Sequence, residues 1–242
     1  MSGHLLCRYF ILGKVVNRMK IGAFPKEAFP DSAAVWYPAA FQAKPVSLSS
    51  FHKGSTALVV VDMVNGFTLE GALSSPNSAS LLPAIAQLMY TCKEQEFPMV
   101  FFADTHLPHS PEFSSYPVHC LAGSSEPRPA EILEEIGGYA LFPKNSTNGF
   151  LELAFQSWLT ENPQITNFIV VGCCTDICVQ QFSLSLKTDF NRRNVASRIT
   201  VPMALTATYD APGHPAAMTE AASYQNMQTS GVEIVSDILL TR

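Results

Sequence analysis

Four short runs of the chain are almost wholly apolar, and each stops on a side chain able to do chemistry. They are ALVVVD (57–62), PMVFFAD (98–104), YALFPK (139–144) and NFIVVGC (167–173). Strands without the polar–apolar alternation of a half-exposed sheet are covered on both faces, the setting of a parallel sheet. Between the runs the pattern turns helical. LLPAIAQLMYTCKEQE, AEILEEI, GFLELAFQSWLTEN and DICVQQFSLSLKTDF read as helices; the last puts Val179, Phe182, Leu186 and Phe190 on one face. ITVPMALTAT reads as a further strand, AAMTEAASYQNM as a helix and VEIVS as a last strand. Strand and helix alternate throughout, which predicts one α/β domain on a mostly parallel sheet.

That domain is expected over residues 55–242. Residues 1–54 form an N-terminal arm, and the Pro-bearing stretch 21–54 is an irregular lead-in broken at Pro25, Pro30, Pro38 and Pro45. Met1 to Lys26 holds Arg8, Lys14, Arg18 and Lys20 but no acid. Such a start suits an organelle-targeting sequence or an arm packed on the domain or on a partner subunit; we read it as the arm. A net charge of -5 without a basic stripe argues against nucleic acid. No apolar run approaches the roughly 20 residues that cross a bilayer. Six cysteines in no ladder-like spacing fit a reducing, cytoplasmic compartment.

Parallel strands share a direction, so the strand ends Asp62, Asp104 with His106, Lys144 and the cysteines after Gly172 fall on one edge of the sheet. Sites in open α/β sheets form on that edge. Each residue alone has a plainer reading, as a helix cap or a solvated charge; four reactive strand ends together are a stronger signal. Cys173 closes an apolar run and suits the core. Thr175 or Asp176 suits a helix cap, leaving Cys178 in the first turn, where the helix N-terminus lowers a thiol pKa. The CC-x3-C spacing does not match a zinc knuckle, and a disulfide between neighbours is strained. Asp62 is then a candidate base, Lys144 a charge partner, and backbone N–H groups of CCTDIC an oxyanion hole.

The loop DTHLPHSPEFSSYPVHC gathers His106, His109 and His119 with Asp104 and Glu112. That composition suits a borderline divalent metal; equally, a Pro-rich loop can use histidines only as hydrogen-bonding groups.

Asp62 in VVVDMVNGF, Lys144 in FPKNSTNGF and Cys178 in VVGCCTDICV together resemble the Asp-Lys-Cys triad of the isochorismatase-like cysteine hydrolases. D-x-H followed by YPVHC resembles the metal loop of that family's nicotinamidase branch. The resemblance spans about residues 56–236. It implies a three-layer α/β/α fold with a six-stranded, mostly parallel Rossmann-like sheet. It further implies Cys178 as nucleophile, Asp62 as general acid/base, Lys144 as charge partner, and a cis peptide at Cys173–Cys174 that turns the Cys174 N–H toward that of Cys178 as oxyanion hole. Asp104, His106 and His119 match the metal ligands; Glu112 matches one family variant of the fourth and is preferred over His109. The implied ion is one divalent zinc, iron or manganese. Phe67 and Tyr116 match positions that sandwich a flat ring. The implied activity is hydrolysis of nicotinamide to nicotinate and ammonia through a cysteine thioester, in NAD salvage, by a homo-oligomer. The alternative within the family is a hydrolase of another small amide or ureido compound. Outside it stand a binding module without activity and a thiol-redox protein using the cysteine cluster.

Overall fold

The computed structural model describes residues 42–240, together with the backbone of residues 10–11 and 14–15. The chain divides by contact into Met1–Asp31 and Ser32–Arg242. In the first unit, Phe10–Ile11 (β1) runs antiparallel to Lys14–Val15 (β2). The rest of the N-terminal reading, arm or targeting sequence, lies outside the described residues.

The second unit begins its described part with Val46–Ser47 (β3), then Thr56–Val61 (β4), Asn65–Thr68 (α1), Pro76–Ser80 (α2) and Leu82–Glu94 (α3). Met99–Asp104 (β5), Glu131–Ile136 (α4), Ala140–Lys144 (β6), Leu153–Glu161 (α5) and Asn167–Cys173 (β7) follow. The chain continues through Gln180–Arg192 (α6), Arg198–Pro202 (β8), Thr206–Ala207 (β9), Ala216–Thr229 (α7), Glu233–Val235 (β10) and Ile238–Leu239 (β11). The sheet order is β10-β8-β7-β4-β5-β6, with β9 beside β7, and every pairing in it is parallel.

The sheet therefore has seven strands where six were expected. Pro202 has no N–H to give a ladder, so the run ITVPMALTAT breaks there, turns through Met203–Leu205 and re-pairs as β9 at the far end of β7, Thr206 opposite Gly172. Residues 42–54, the described end of the lead-in, are less irregular than expected. Val46 pairs with Ile238, while Leu48 and Phe51 are buried in the core.

All six residues of β4 are buried, and they alternate between two cores. Leu58 and Val60 join Phe101, Ile169, Ile85, Met89 and Leu133 on the α3–α4 side. Ala57, Val59 and Val61 join Val100, Phe155, Phe182 and Met227 on the α5–α6–α7 side. This is the three-layer arrangement, and it explains why the strand runs carry no alternation. Among the described residues, no helix is long and apolar enough to cross a membrane.

The chain order reverses between neighbours β4 and β7: β5 and β6 extend the sheet one way, β8 and β10 the other. Loops leaving the carboxyl ends at such a switch point part and open a crevice. Two backbone features shape it. Gly172 sits at φ 115°, and a Cβ there would lie 2.0 Å from the Val61 carbonyl oxygen, so only glycine lets β7 come this close to β4. One residue beyond Val61, Asp62 adopts φ 54°, a left-handed conformation that aspartate tolerates better than most residues.

Candidate active site

The strand-end residues meet around one buried ammonium. Lys144, at the end of β6, has its Nζ 2.9 Å from Asp62 Oδ2, 2.7 Å from Asp104 Oδ1 and 3.8 Å from Cys178 Sγ. It also donates to the Ser146 carbonyl at 3.1 Å. Burial alone would lower the Lys144 pKa; Asp104 and Asp62 outweigh it and hold the amine charged, well above its usual range. Asp62 Oδ1 accepts from the Asp104 N–H at 3.0 Å, which leaves Oδ2 without an aligned hydrogen bond. Burial pushes the Asp62 carboxyl up to about 6, against the pull of Lys144.

Cys178 is positioned differently from the expectation. The segment Thr175–Val179 is a π turn with Cys174 at its N-cap, closed by the Val179 N–H donating to the Cys174 carbonyl at 3.1 Å. Neither Thr175 nor Asp176 caps it, because both side chains are engaged by α7 and the loop before it. The expected lowering of the thiol pKa is reversed. Burial pushes Cys178 well above its usual value; Lys144 opposes this, while Asp62, Asp104 and Cys174 add to it. The resting thiol thus keeps its proton until a base takes it. The Cys173–Cys174 peptide is cis. Cys173 is buried and its Sγ donates to the Asp62 carbonyl at 3.3 Å, whereas the Cys174 side chain lines the crevice. The described cysteines are all free.

Asp104 links this triad to a second group. Its Oδ2 lies 3.0 Å from His106 Nε2 and 2.9 Å from His119 Nε2. Glu112 Oε1 stands 3.6 Å from His106 Nε2 and 4.0 Å from His119 Nε2. His119 Nδ1 faces the Pro117 carbonyl at 2.7 Å, an oxygen that only accepts, so Nδ1 carries a proton. His106 Nδ1 faces Asn145 Oδ1 at 3.2 Å, an oxygen that already accepts from the Leu107 N–H. Both Nε2 atoms are turned toward two carboxylates, with ligand atoms of all four residues within 4.8 Å of one another. A divalent cation fits this set: two imidazoles and two carboxylates of borderline hardness converge, and the Nδ1 contacts fix both rings. His109 is exposed and outside the group.

The crevice above holds about 430 Å³, counting its open mouth. Its floor includes Cys178, Asp104, Glu112 and His119; Phe67 and Tyr116 lie on its walls, their rings 5.7 and 6.2 Å from that of His119. Reading the sequence missed Tyr209, Ile177 and Asn145. Asn145 follows Lys144 at a strand end, where the strand-end rule applies equally; Tyr209 is placed by contacts no local pattern announces.

Lys144→Met tests the ion cluster. It leaves Asp62 and Asp104 buried without their cation, and breaking such a group costs about 3–5 kcal/mol. Urea unfolding should show that loss; a change below about 1 kcal/mol, the worth of an exposed ion pair, would mean the three charges are independent.

With fold and geometry in place, comparison with known proteins gives a consistent result. Residues 56–233 match the isochorismatase domain. Nicotinamidase 1 of Arabidopsis thaliana is 33% identical over 183 residues, covering 67% of this chain and 73% of that protein. The crystal structure of N-carbamoylsarcosine amidase from Thermoplasma acidophilum superposes with a TM-score of 0.61 at 24% identity, over 75% of this chain and 95% of that one. The pyrazinamidase of Pyrococcus horikoshii, solved in complex with zinc, gives 0.61 at 21% identity, over 75% and 98%. By the domain that matches most of its length, and by the α/β fold it shares with these structures, the chain belongs to the isochorismatase family.

Proposed function

We propose that this protein is a nicotinamidase, hydrolysing nicotinamide to nicotinate and ammonia with Cys178 as nucleophile. One observation carries the reading: a single crevice has the thiol and the Asp104–Glu112–His119 donors on its floor and aromatic rings on its walls. The 33% identity to a plant nicotinamidase supports the same substrate. Asp104, His106, Glu112 and His119 would hold one divalent ion, zinc before iron or manganese. Bound there, it supplies Lewis-acid chemistry, attracting a ring-nitrogen lone pair and making water more acidic.

The chain's own residues do the rest. Asp62 takes the Cys178 proton as sulfur attacks the amide carbon, and the N–H groups of Cys174 and Cys178 receive the oxyanion. Lys144 keeps its charge beside both groups and favours the thiolate as it forms. Asp62 then gives the proton to the departing nitrogen; ammonia leaves and a thioester remains. Water loses a proton to Asp62 and adds to that thioester, which releases nicotinate and restores the thiol. Such a reaction would place the protein in NAD metabolism.

Ammonia release from nicotinamide tests the assignment. Zinc-loaded protein should turn nicotinamide over at about 1–10³ per second, the common range for enzymes. Chelation should abolish the activity, and added zinc, iron(II) or manganese should restore it. Turnover of acyclic or ureido amides with none of nicotinamide would overturn the assignment.

A further inference from the structure

Thr175 and Asp176, between Gly172 and the nucleophile, use their side chains to hold the segment after β9. Thr175 Oγ1 donates to Glu220 Oε1 at 3.3 Å, and the same oxygen accepts from the Thr208 N–H at 2.8 Å. Asn77 Nδ2 donates to the Thr208 carbonyl at 2.8 Å. Asp176 Oδ2 lies 2.7 Å from His214 Nε2, and His214 Nδ1 lies 3.0 Å from the Tyr209 carbonyl. Paired backbone bonds between Ala211 and His214 close the turn.

Between these struts stands Tyr209. Its ring stacks on that of His214, centroids 4.0 Å apart and planes 7° from parallel, and it lines the crevice with Ile177 and Cys178. Tyr116 lines the same crevice. A tyrosine on a loop would ordinarily spend rotamer freedom to present its ring to a ligand. Here one face is already packed against an imidazole whose two nitrogens are both engaged, so the ring is set before anything binds.

We propose that Tyr209 is a specificity-determining residue that selects flat aromatic amides, and that His214, held by Asp176, is its positioning residue. The inference rests on the nicotinamidase reading for the reaction and extends it to a third aromatic wall. It also gives a use to the T-D pair of the nucleophile string: both residues fix the wall to the turn that carries the thiol.

The experiment measures kcat and KM for nicotinamide and for an acyclic amide, butyramide, on the metal-loaded protein. Tyr209→Leu keeps an apolar side chain but no ring face. It should raise the nicotinamide KM and cut the nicotinamide-to-butyramide selectivity ratio about tenfold, the worth of one aromatic contact. Tyr209→Phe should restore the ratio to within about threefold, because the stack needs only the ring. His214→Ala should lower the ratio by a smaller factor in the native background and by none on top of Tyr209→Leu, the signature of a residue acting through another. A Tyr209→Leu ratio within about twofold of native, or a His214→Ala effect that persists undiminished in the double variant, would overturn the proposal. If native protein ignores nicotinamide, a panel of aromatic and aliphatic amides separates the two claims. A different aromatic amide as best substrate sinks the nicotinamide assignment alone, and the Tyr209 ratio is then measured on it; an aliphatic best substrate overturns the Tyr209 claim as well.

Discussion

Cys178→Ala is expected to lower kcat/KM for nicotinamide by at least about 10⁴-fold, the scale on which removing a covalent nucleophile acts. Cys178 is 7% exposed and packs at the edge of the α5–α6–α7 core, where losing one sulfur leaves a small void, so the variant should fold. Its sulfur stands 3.8 Å from Lys144 Nζ, and the same ammonium sits 2.9 Å from Asp62 Oδ2; no other described cysteine hydrogen-bonds to that ammonium. Cys174 shares the crevice but lacks the ammonium, so it should not substitute. The four metal donors exclude Cys178, and zinc content should stay at the native level. Steady-state ammonia release, paired with metal analysis, checks both halves. Substantial activity in a well-folded, zinc-loaded Cys178→Ala protein would remove the thiol from the mechanism.

The second large effect is on folding. Gly172→Ala introduces a Cβ 2.0 Å from the Val61 carbonyl oxygen and 2.9 Å from its carbon and nitrogen, all of them backbone in the centre of the sheet. None of these atoms can swing aside, as a side-chain tip would. The strands must part just before Asp62, with a cost above about 4 kcal/mol, in the range reserved for severe core disruption. Gly213 is the matched control: its φ of 81° is equally left-handed, yet a Cβ there meets nothing within 4 Å. Gly213→Ala should cost only about 1 kcal/mol of backbone strain. Urea unfolding of both variants separates the two contributions. Equal losses would mean that conformation, not the close approach of β7 to β4, makes glycine necessary at 172.

Much of this architecture is legible in the sequence because burial on both faces leaves a simple trace. A short unbroken apolar run bounded by turn signals and rich in Val and Phe fits a covered strand, and a polar residue at its end then sits at the sheet's edge, as Asp62, Asp104 and Lys144 do. The D-x-H spacing is legible for a similar reason, since alternate residues of an extended chain share a side. What escapes is set by partners distant in sequence. Asp176 has the composition of a helix cap, but His214, 38 residues on, claims its carboxylate. Glu220 does the same for Thr175. Burial of Cys178, which reverses the expected pKa shift, depends on how completely the strand-end loops close over it. The pairing of Val46 with Ile238 is two residues long and carries no pattern of its own. The break at Pro202 was there to be read, since proline within an apolar run argues against a continuous strand.

The account's central claim is that the Cys178 sulfur becomes covalently bonded to the substrate's acyl carbon. Acid-quenching the zinc-loaded protein during turnover of nicotinamide, followed by intact-mass and peptide mass spectrometry, tests it directly. The predicted result is one nicotinoyl group per chain, carried on the peptide containing Cys178, labile to hydroxylamine and absent from Cys178→Ala. Turnover without an adduct, under conditions where hydrolysis of the acyl form is slowed by low temperature and low pH, or an adduct on any other residue, would contradict it.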